Sequence, residues 1–145
     1  MTTIIATDGS ELAKRALEEG LRIAQAIGDE VVLVTAWQLP VGDFGVPYAS
    51  IATTDLIDTE RRSAERTLEQ AAETAREAGV EVRTELREGS APHEICELAK
   101  ELDARMIVLG SHGWGAIRSA LYGSVAAGVL RHAPCPVLVV PERKG

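Results

Sequence analysis

Aromatic residues and cysteines are scarce in this chain. Aromatic side chains make up 3% of the 145 residues. There are only two cysteines, Cys96 and Cys135, and neither belongs to a Cys-x-x-Cys pair, so we expect two unpaired, reduced thiols. No N-terminal apolar run resembles a signal peptide, and no apolar run reaches the length of about 18 residues that would predict a membrane span. The expected location is therefore the cytoplasm, without a membrane partner.

Acidic residues are missing from one long stretch, although they are abundant elsewhere. Residues 1–103 carry 21 acidic and 10 basic side chains, whereas residues 104–145 carry 1 acidic and 5 basic ones, and none of residues 104–141 is acidic. The net charge of −7 argues against nucleic acid as the main partner. The acid-free stretch is nevertheless suited to a small polyanion, because it contains no carboxylate to repel phosphate.

Spaced glycines lie inside this acid-free stretch. Gly110-Ser-His-Gly113 is followed, after nine residues, by Gly123-Ser124. Glycine allows the backbone to approach phosphate closely, and Gly123-Ser124 opens a predicted helix whose N–H groups attract anions. Ser124 could offer its hydroxyl to phosphate or simply cap that helix. No Gly-Lys-Ser/Thr follows the glycines, so a P-loop is not present. A typical dinucleotide fingerprint should follow the first strand, but that strand is followed by Asp8-Gly9-Ser10.

Buried apolar runs alternate with amphipathic stretches along the whole chain. We predict strands over 3–7, 30–36, 80–86, 106–109 and 137–140, and helices over 11–27, 54–78, 92–102 and 122–132. This alternation is typical of a parallel sheet covered by helices on both faces. We therefore predict one α/β domain spanning residues 1–145.

A ligand of such a sheet is expected beyond the carboxyl ends of the strands. Asp8 ends the first strand, and the loop from Gly110 follows the fourth, so the two would meet if these strands are neighbours. Asp8 could accept hydrogen bonds from ribose, help to hold a Mg²⁺ ion, or form an Asx-turn with Gly9. His112 lies in the glycine loop and could contact phosphate or serve the structure. The three histidines show no metal spacing.

The five aromatic residues cluster near the same edge of the predicted sheet. Three follow the second strand and two follow the fourth; they are Trp37, Phe44, Tyr48, Trp114 and Tyr122. They could cover an adenine ring or pack locally within long loops.

Together these motifs resemble the universal stress protein family. Gly110-x2-Gly113-x9-Gly123-Ser124 is similar to its ATP-binding signature, 4–10 to its first strand and turn, and 132–140 to its closing segment. The resemblance implies a Rossmann-like, open five-stranded parallel sheet in the order 3-2-1-4-5. It also implies a homodimer built partly by the last strand, Val137 to Val140.

The resemblance further implies ATP between the first and fourth strands, with Mg²⁺ or Mn²⁺. It assigns Thr7, Asp8 and Ala36 to adenosine, Leu109 and Gly110 to ribose, and Gly113, Gly123, Ser124 and Val125 to the phosphates. Two positions depart from the family pattern: Ala6 replaces a frequent proline, and Trp114 replaces a basic or small residue.

Three functions remain open at this point. The first is an ATP-binding regulator of stress or signalling that acts as a dimer. The second is a slow ATPase, for which only Asp8 and His112 could position water. The third is a dimeric interaction module that does not use nucleotide.

Overall fold

The computed structural model describes residues 1–39, 54–114 and 122–142. Strands and helices alternate in these residues as β1 (Thr2–Ala6), α1 (Glu11–Ile27), β2 (Glu30–Trp37), α2 (Thr54–Glu77), β3 (Val82–Glu88), α3 (Ala91–Glu101), β4 (Met106–Gly110), α4 (Ser124–His132) and β5 (Val137–Val140). The predicted elements are confirmed, with β3 lying two residues later along the chain than the alternation suggested.

The strands form one parallel sheet in the order β3-β2-β1-β4-β5. Thr3 pairs with Val31 on one side and with Met106 on the other, so β1 is the central strand. Each crossover carries the chain over a face of the sheet, which is the arrangement that parallel strands require. The predicted fold class and strand order are both confirmed.

Consecutive strand residues point into two separate cores. Ile4 and Ile107 lie in the core beneath α3 and α4, whereas Ile5 and Val108 lie in the core beneath α1 and α2. Both isoleucines of β1 are fully buried, and each contributes about 1.5 to 3 kcal/mol through removal of its side chain from water. Burial on both faces explains the unbroken apolar runs 31–34 of β2 and 106–109 of β4, whereas β3 alternates apolar and charged residues and is less buried.

Local sequence sets the ends of α1. The Ser10 hydroxyl accepts a hydrogen bond from the Ala13 N–H at 3.2 Å, and Gly28 ends the helix with a φ of 75°. The serine satisfies a donor that the first turn leaves unpaired, and glycine takes the left-handed conformation at little cost. The space at the carboxyl ends of β1, β2 and β4, which we call the crevice, therefore lies beside a fixed helix start.

None of the helices in the described ranges is both long and apolar enough to cross a lipid bilayer.

Candidate functional site

The turn after β1 is held by its own side chains. The Ser10 N–H donates to Asp8 Oδ1 at 2.9 Å, and the Gly9 N–H donates to Thr7 Oγ1 at 3.1 Å. The first bond is the Asx-turn expected for this sequence. Gly9 has a φ of 82°, and a β-carbon there would lie 3.2 Å from Thr67 Oγ1. The turn therefore packs against Thr67 of α2, and its own side chains hold its backbone through hydrogen bonds.

Asp8 also holds the start of the glycine loop. Its second oxygen, Oδ2, accepts a hydrogen bond from the Trp114 N–H. A β-carbon at Gly113 would lie only 2.7 Å from the same oxygen and 3.0 Å from Ser10 Oγ. Gly113 has a φ of 115° and Trp114 a φ of 56°, so the loop turns through two left-handed residues as it passes Asp8. This close approach brings the ends of β1 and β4 together, as the sequence predicts.

The far end of the glycine loop returns to β4 through one backbone bond. The Gly123 N–H donates to the Ser111 carbonyl oxygen at 2.7 Å. Gly123 is the N-cap of α4, with φ −66° and ψ 163°, and no side chain caps that helix. Ser124 is exposed and already belongs to the helix, so the expectation that it serves as the N-cap is wrong. Its hydroxyl remains available at the mouth of the crevice.

The carboxyl end of β2 forms the third wall of the crevice. The Thr35 hydroxyl donates to the Thr7 carbonyl oxygen at 2.8 Å, which ties this wall to the turn after β1. Ala36 is half-buried beyond it. Trp37 is 9% exposed, and the Arg61 guanidinium lies 5.9 Å from its ring centroid. Trp37 is therefore packed as the last residue of β2, and its predicted place in the loop after that strand is wrong; Phe44 and Tyr48 lie outside the described residues.

Among the described site residues, negative charge comes from Asp8. Asp8 is the only charged residue among the predicted site positions that the structure describes, and the first turn of α4 contains no acid. Ser111 Oγ and His112 Nδ1 lie 3.0 Å apart, so His112 is engaged with its neighbour in the chain. Within the described ranges no three His, Cys, Asp or Glu side chains are placed to hold a metal ion.

The predicted site residues that the structure describes lie at one edge of the sheet. Some of them could contact a ligand through side chains, and others only through backbone groups. Leu109 and Val125 are buried in the core beneath α3 and α4, so only their backbone groups face the crevice. Gly110 is also enclosed, because a β-carbon there would lie 3.0 Å from Leu12 Cγ. Sequence reasoning missed Ser111 and Thr67, whose roles depend on contacts between distant parts of the chain.

Comparison with known proteins agrees with this architecture. The model of the universal stress protein family matches residues 1–141. A universal stress protein of Methanocaldococcus jannaschii is 34% identical over 144 residues, covering 97% of this chain and 82% of the relative. One from Thermus aquaticus is 36% identical over 141 residues, covering 96% and 97%.

Solved structures of this family superpose on the whole fold. UspA from Lactobacillus plantarum has a TM-score of 0.82 at 25% identity, with 97% of each chain covered. A universal stress protein in complex with cAMP has a TM-score of 0.73 at 28% identity, covering 97% of this chain and 96% of its own. One from Archaeoglobus fulgidus in complex with dAMP has a TM-score of 0.70 at 29% identity, with 97% of each chain covered. Because the family model covers residues 1–141 and the sheet order is that of its solved members, this chain belongs to the universal stress protein family.

Proposed function

We propose that this chain is an ATP-binding universal stress protein that acts as a homodimer, in which nucleotide occupancy regulates stress or signalling partners. One observation carries the proposal: α4 begins at Gly123 with no acidic residue in its first turn, and the Gly123 N–H holds this helix start to the Ser111 carbonyl oxygen after β4. A helix start of this kind, reached through glycine backbone, is a common way to bind the phosphates of a nucleotide. Relatives that bind cAMP and dAMP make an adenine nucleotide the natural candidate.

The phosphates would lie at the start of α4. The helix begins at a glycine, has no acidic residue in its first turn and has no side chain occupying its cap. Its first N–H groups, at Ser124 and Val125, are therefore aimed at an anion together with the positive end of the helix dipole. Ser124 adds an exposed hydroxyl. Gly113 and His112 would approach the same phosphates from the loop after β4.

The nucleoside would lie between β1, β2 and β4. Thr7 and Asp8 approach it from β1, and Ala36 offers backbone hydrogen bonds to the adenine from β2. Leu109 and Gly110 would line the ribose through their backbone, because the Leu109 side chain is fully buried in the core. Asp8 already accepts bonds from Ser10 and Trp114, yet a carboxylate has about four lone-pair sites, which leaves room for a ribose hydroxyl.

Mg²⁺ or Mn²⁺ would arrive with ATP and not through a dedicated protein cage. Asp8 is the one carboxylate among the described site residues, and a single carboxylate plus phosphate oxygens is a common way to bind Mg²⁺. The bound ion would neutralise part of the phosphate charge. Since both Asp8 oxygens accept backbone N–H bonds, the site is better suited to holding nucleotide than to activating water, and we expect binding without rapid hydrolysis.

The homodimer would form along β5. Within the described residues this strand pairs only with β4, and Val137 to Val139 are half-buried. A second copy of the chain could cover this edge and extend the sheet. Sedimentation velocity of the wild-type protein tests this part, and a monomer at micromolar concentration would contradict it. We place the protein in the cytoplasm, where its two free thiols, Cys96 and Cys135, would stay reduced.

Nucleotide binding can be tested directly on the purified protein. Acid extraction should release co-purified nucleotide, and calorimetric titration should rank ATP against AMP, cAMP and GTP. The variant Gly123→Val places a branched side chain at the phosphate end and should abolish ATP binding. Ser90→Val is the matched control, because Ser90 is the N-cap of α3, with a φ of −64°, and likewise makes no capping bond.

Each result has a defined consequence. If the wild-type protein binds no ATP, the proposed function is wrong and a nucleotide-independent module becomes the better description. If Gly123→Val folds and binds ATP as tightly as Ser90→Val, the phosphates lie elsewhere. Steady turnover of ATP that is lost in Asp8→Ala or His112→Ala would favour the ATPase.

A further inference from the structure

A second concave surface lies at the β3 edge of the sheet. A groove of about 1220 Å³ runs between α2 and β3 and shares no residue with the candidate nucleotide site. Its floor is apolar and is formed by Leu68, Ala72, Val80, Val82 and Leu86. The volume exceeds the roughly 300 to 1,000 Å³ of typical small-molecule sites, so a segment of polypeptide suits the groove better than a metabolite.

The rim of this groove is acidic. Four glutamates line it, namely Glu65, Glu69, Glu73 and Glu81, against a single basic residue, Arg76. Arg76 is hydrogen bonded to Glu73. The side chains of the other three glutamates make no hydrogen bond or ion pair within residues 1–39, 54–114 and 122–142. The rim therefore presents unneutralised negative charge directly beside an apolar floor.

The strand that borders the groove has an open edge. In the described part of the chain β3 pairs with β2 alone, in a register from Val31 with Val82 to Trp37 with Glu88. Alternate residues Val82, Thr84 and Leu86 face the groove. On the opposite face of β3, Arg87 is already bonded to Glu101 at 2.6 Å. Unpaired backbone groups on an outer strand are a template for a further strand.

We propose that this groove binds an extended segment of a partner protein that carries Lys or Arg at alternate positions and adds to β3 as a sixth strand. Alternate side chains of such a segment point into the groove. Their aliphatic stems would cover the apolar floor while their charged ends reach the rim glutamates. A second copy of this chain is a poor occupant, because its own groove would bring like charge against like charge. The inference does not depend on nucleotide binding at the crevice.

The test uses a defined probe and charge-matched variants. The probe is a fluorescein-labelled Lys-Thr octapeptide with alternating residues, titrated with the full-length protein by fluorescence anisotropy. The double variant Glu69→Lys/Glu81→Lys should weaken its binding by about tenfold or more, because two rim charges are reversed. Glu11→Lys/Glu18→Lys has the same net charge, but both positions are exposed on α1 and lie outside the groove; its binding should stay within about threefold of wild type.

Two further probes separate a strand-binding groove from general attraction to an acidic protein. A peptide of four lysines followed by four threonines has the same composition without the alternation and should bind more weakly. The alternating peptide N-methylated at every second residue, made in both registers, should lose binding in at least one of them, because the methyl groups remove donors along one edge of the strand.

Several outcomes would overturn the proposal. These are no binding of the alternating probe up to about 1 mM, equal loss of binding in both double variants, equal binding of the block peptide, or full binding in both N-methylated registers. Self-association of the wild type that disappears in Glu69→Lys/Glu81→Lys would show that a second copy fills the groove. Binding of the probe by protein that binds no ATP would leave this proposal intact while refuting the proposed function.

Discussion

Replacing Gly113 by alanine tests the contact on which the crevice depends. Gly113 has a φ of 115°, and its new β-carbon would lie 2.7 Å from Asp8 Oδ2. A left-handed conformation costs an alanine about 1 to 2 kcal/mol. Displacing the carboxylate from the Trp114 N–H adds about 1 to 3 kcal/mol, as for the loss of a charged hydrogen bond. We therefore expect the free energy of unfolding to fall by about 2 to 5 kcal/mol.

Gly28→Ala is the matched control for the conformational part of this cost. Gly28 has a φ of 75°, and a β-carbon there would meet no atom within 4 Å. It should lose only about 1 to 2 kcal/mol. Urea unfolding followed by circular dichroism measures both variants, with equal slopes against denaturant as the sign that only stability has changed. Gly113→Ala should also weaken ATP binding, whereas Gly28→Ala should not.

The double variant Gly113→Ala/Asp8→Ala isolates the collision. Removing the carboxylate removes the atom that the new β-carbon would strike, so the two changes together should cost less than the sum of the single changes. Additive costs, or a loss in Gly113→Ala no greater than in Gly28→Ala, would refute the claim that the loop is fitted against Asp8.

Three further variants test the packing and the charges that hold the sheet and its helices. A β-carbon at Gly128 would lie 2.7 Å from Pro92 Cβ, so Gly128→Ala should lower the free energy of unfolding by about 1 kcal/mol, since overpacking outweighs the gain in helix propensity. At Gly20 the nearest atom is the end of a flexible side chain at 2.8 Å, and Gly20→Ala should stay within about 0.5 kcal/mol in the same urea experiment. Burial raises the pKa of Asp29, but the hydrogen bonds that Arg105 Nε donates at 2.8 and 3.0 Å help to outweigh burial and hold that pKa below the usual 3.8. This stabilisation is complete above pH 3.8 and is lost as the pH falls through the lower pKa of the folded state, so Asp29→Asn should be less stable than wild type at pH 7, with a gap that closes on acidification; a gap that widens instead would contradict this assignment.

The fold could be predicted because each strand carries its own evidence of burial. Runs such as residues 31–34 and 106–109 are apolar at every position, and only a strand covered on both faces needs that pattern. The predicted start of β3 at Val80 is two residues too early, since Val80 is also apolar. In the structure the Val80 N–H donates to Ala75 at 2.9 Å and so ends α2, while pairing with β2 begins at Val82. Hydrophobic alternation cannot separate these two uses of a valine.

The candidate site could be located from the sequence but not described in detail. Strand ends and glycine spacing place Asp8 and Gly113 on the same edge. Asp8 accepts hydrogen bonds from the N–H groups of both Ser10 and Trp114. The second bond depends on how the chain folds back after β4, which no local sequence pattern predicts. Ser124 illustrates the same limit, because a serine at a helix start is typical of an N-cap, whereas here the Gly123 N–H bonds Ser111 and glycine takes that position.

The hydrogen bond from Gly123 to Ser111 has a consequence for how this protein could change. This bond of 2.7 Å joins the two ends of the segment between Ser111 and Gly123. The position of α4 relative to β4 therefore does not depend on how many residues that segment contains. Closure entropy rises by only about 0.6 kcal/mol for each doubling of the number of residues between two joined ends. Residues could therefore be inserted between positions 114 and 123, by evolution or by an engineer fitting a fluorescent reporter or a new recognition peptide, while the helix start stays in register with the sheet.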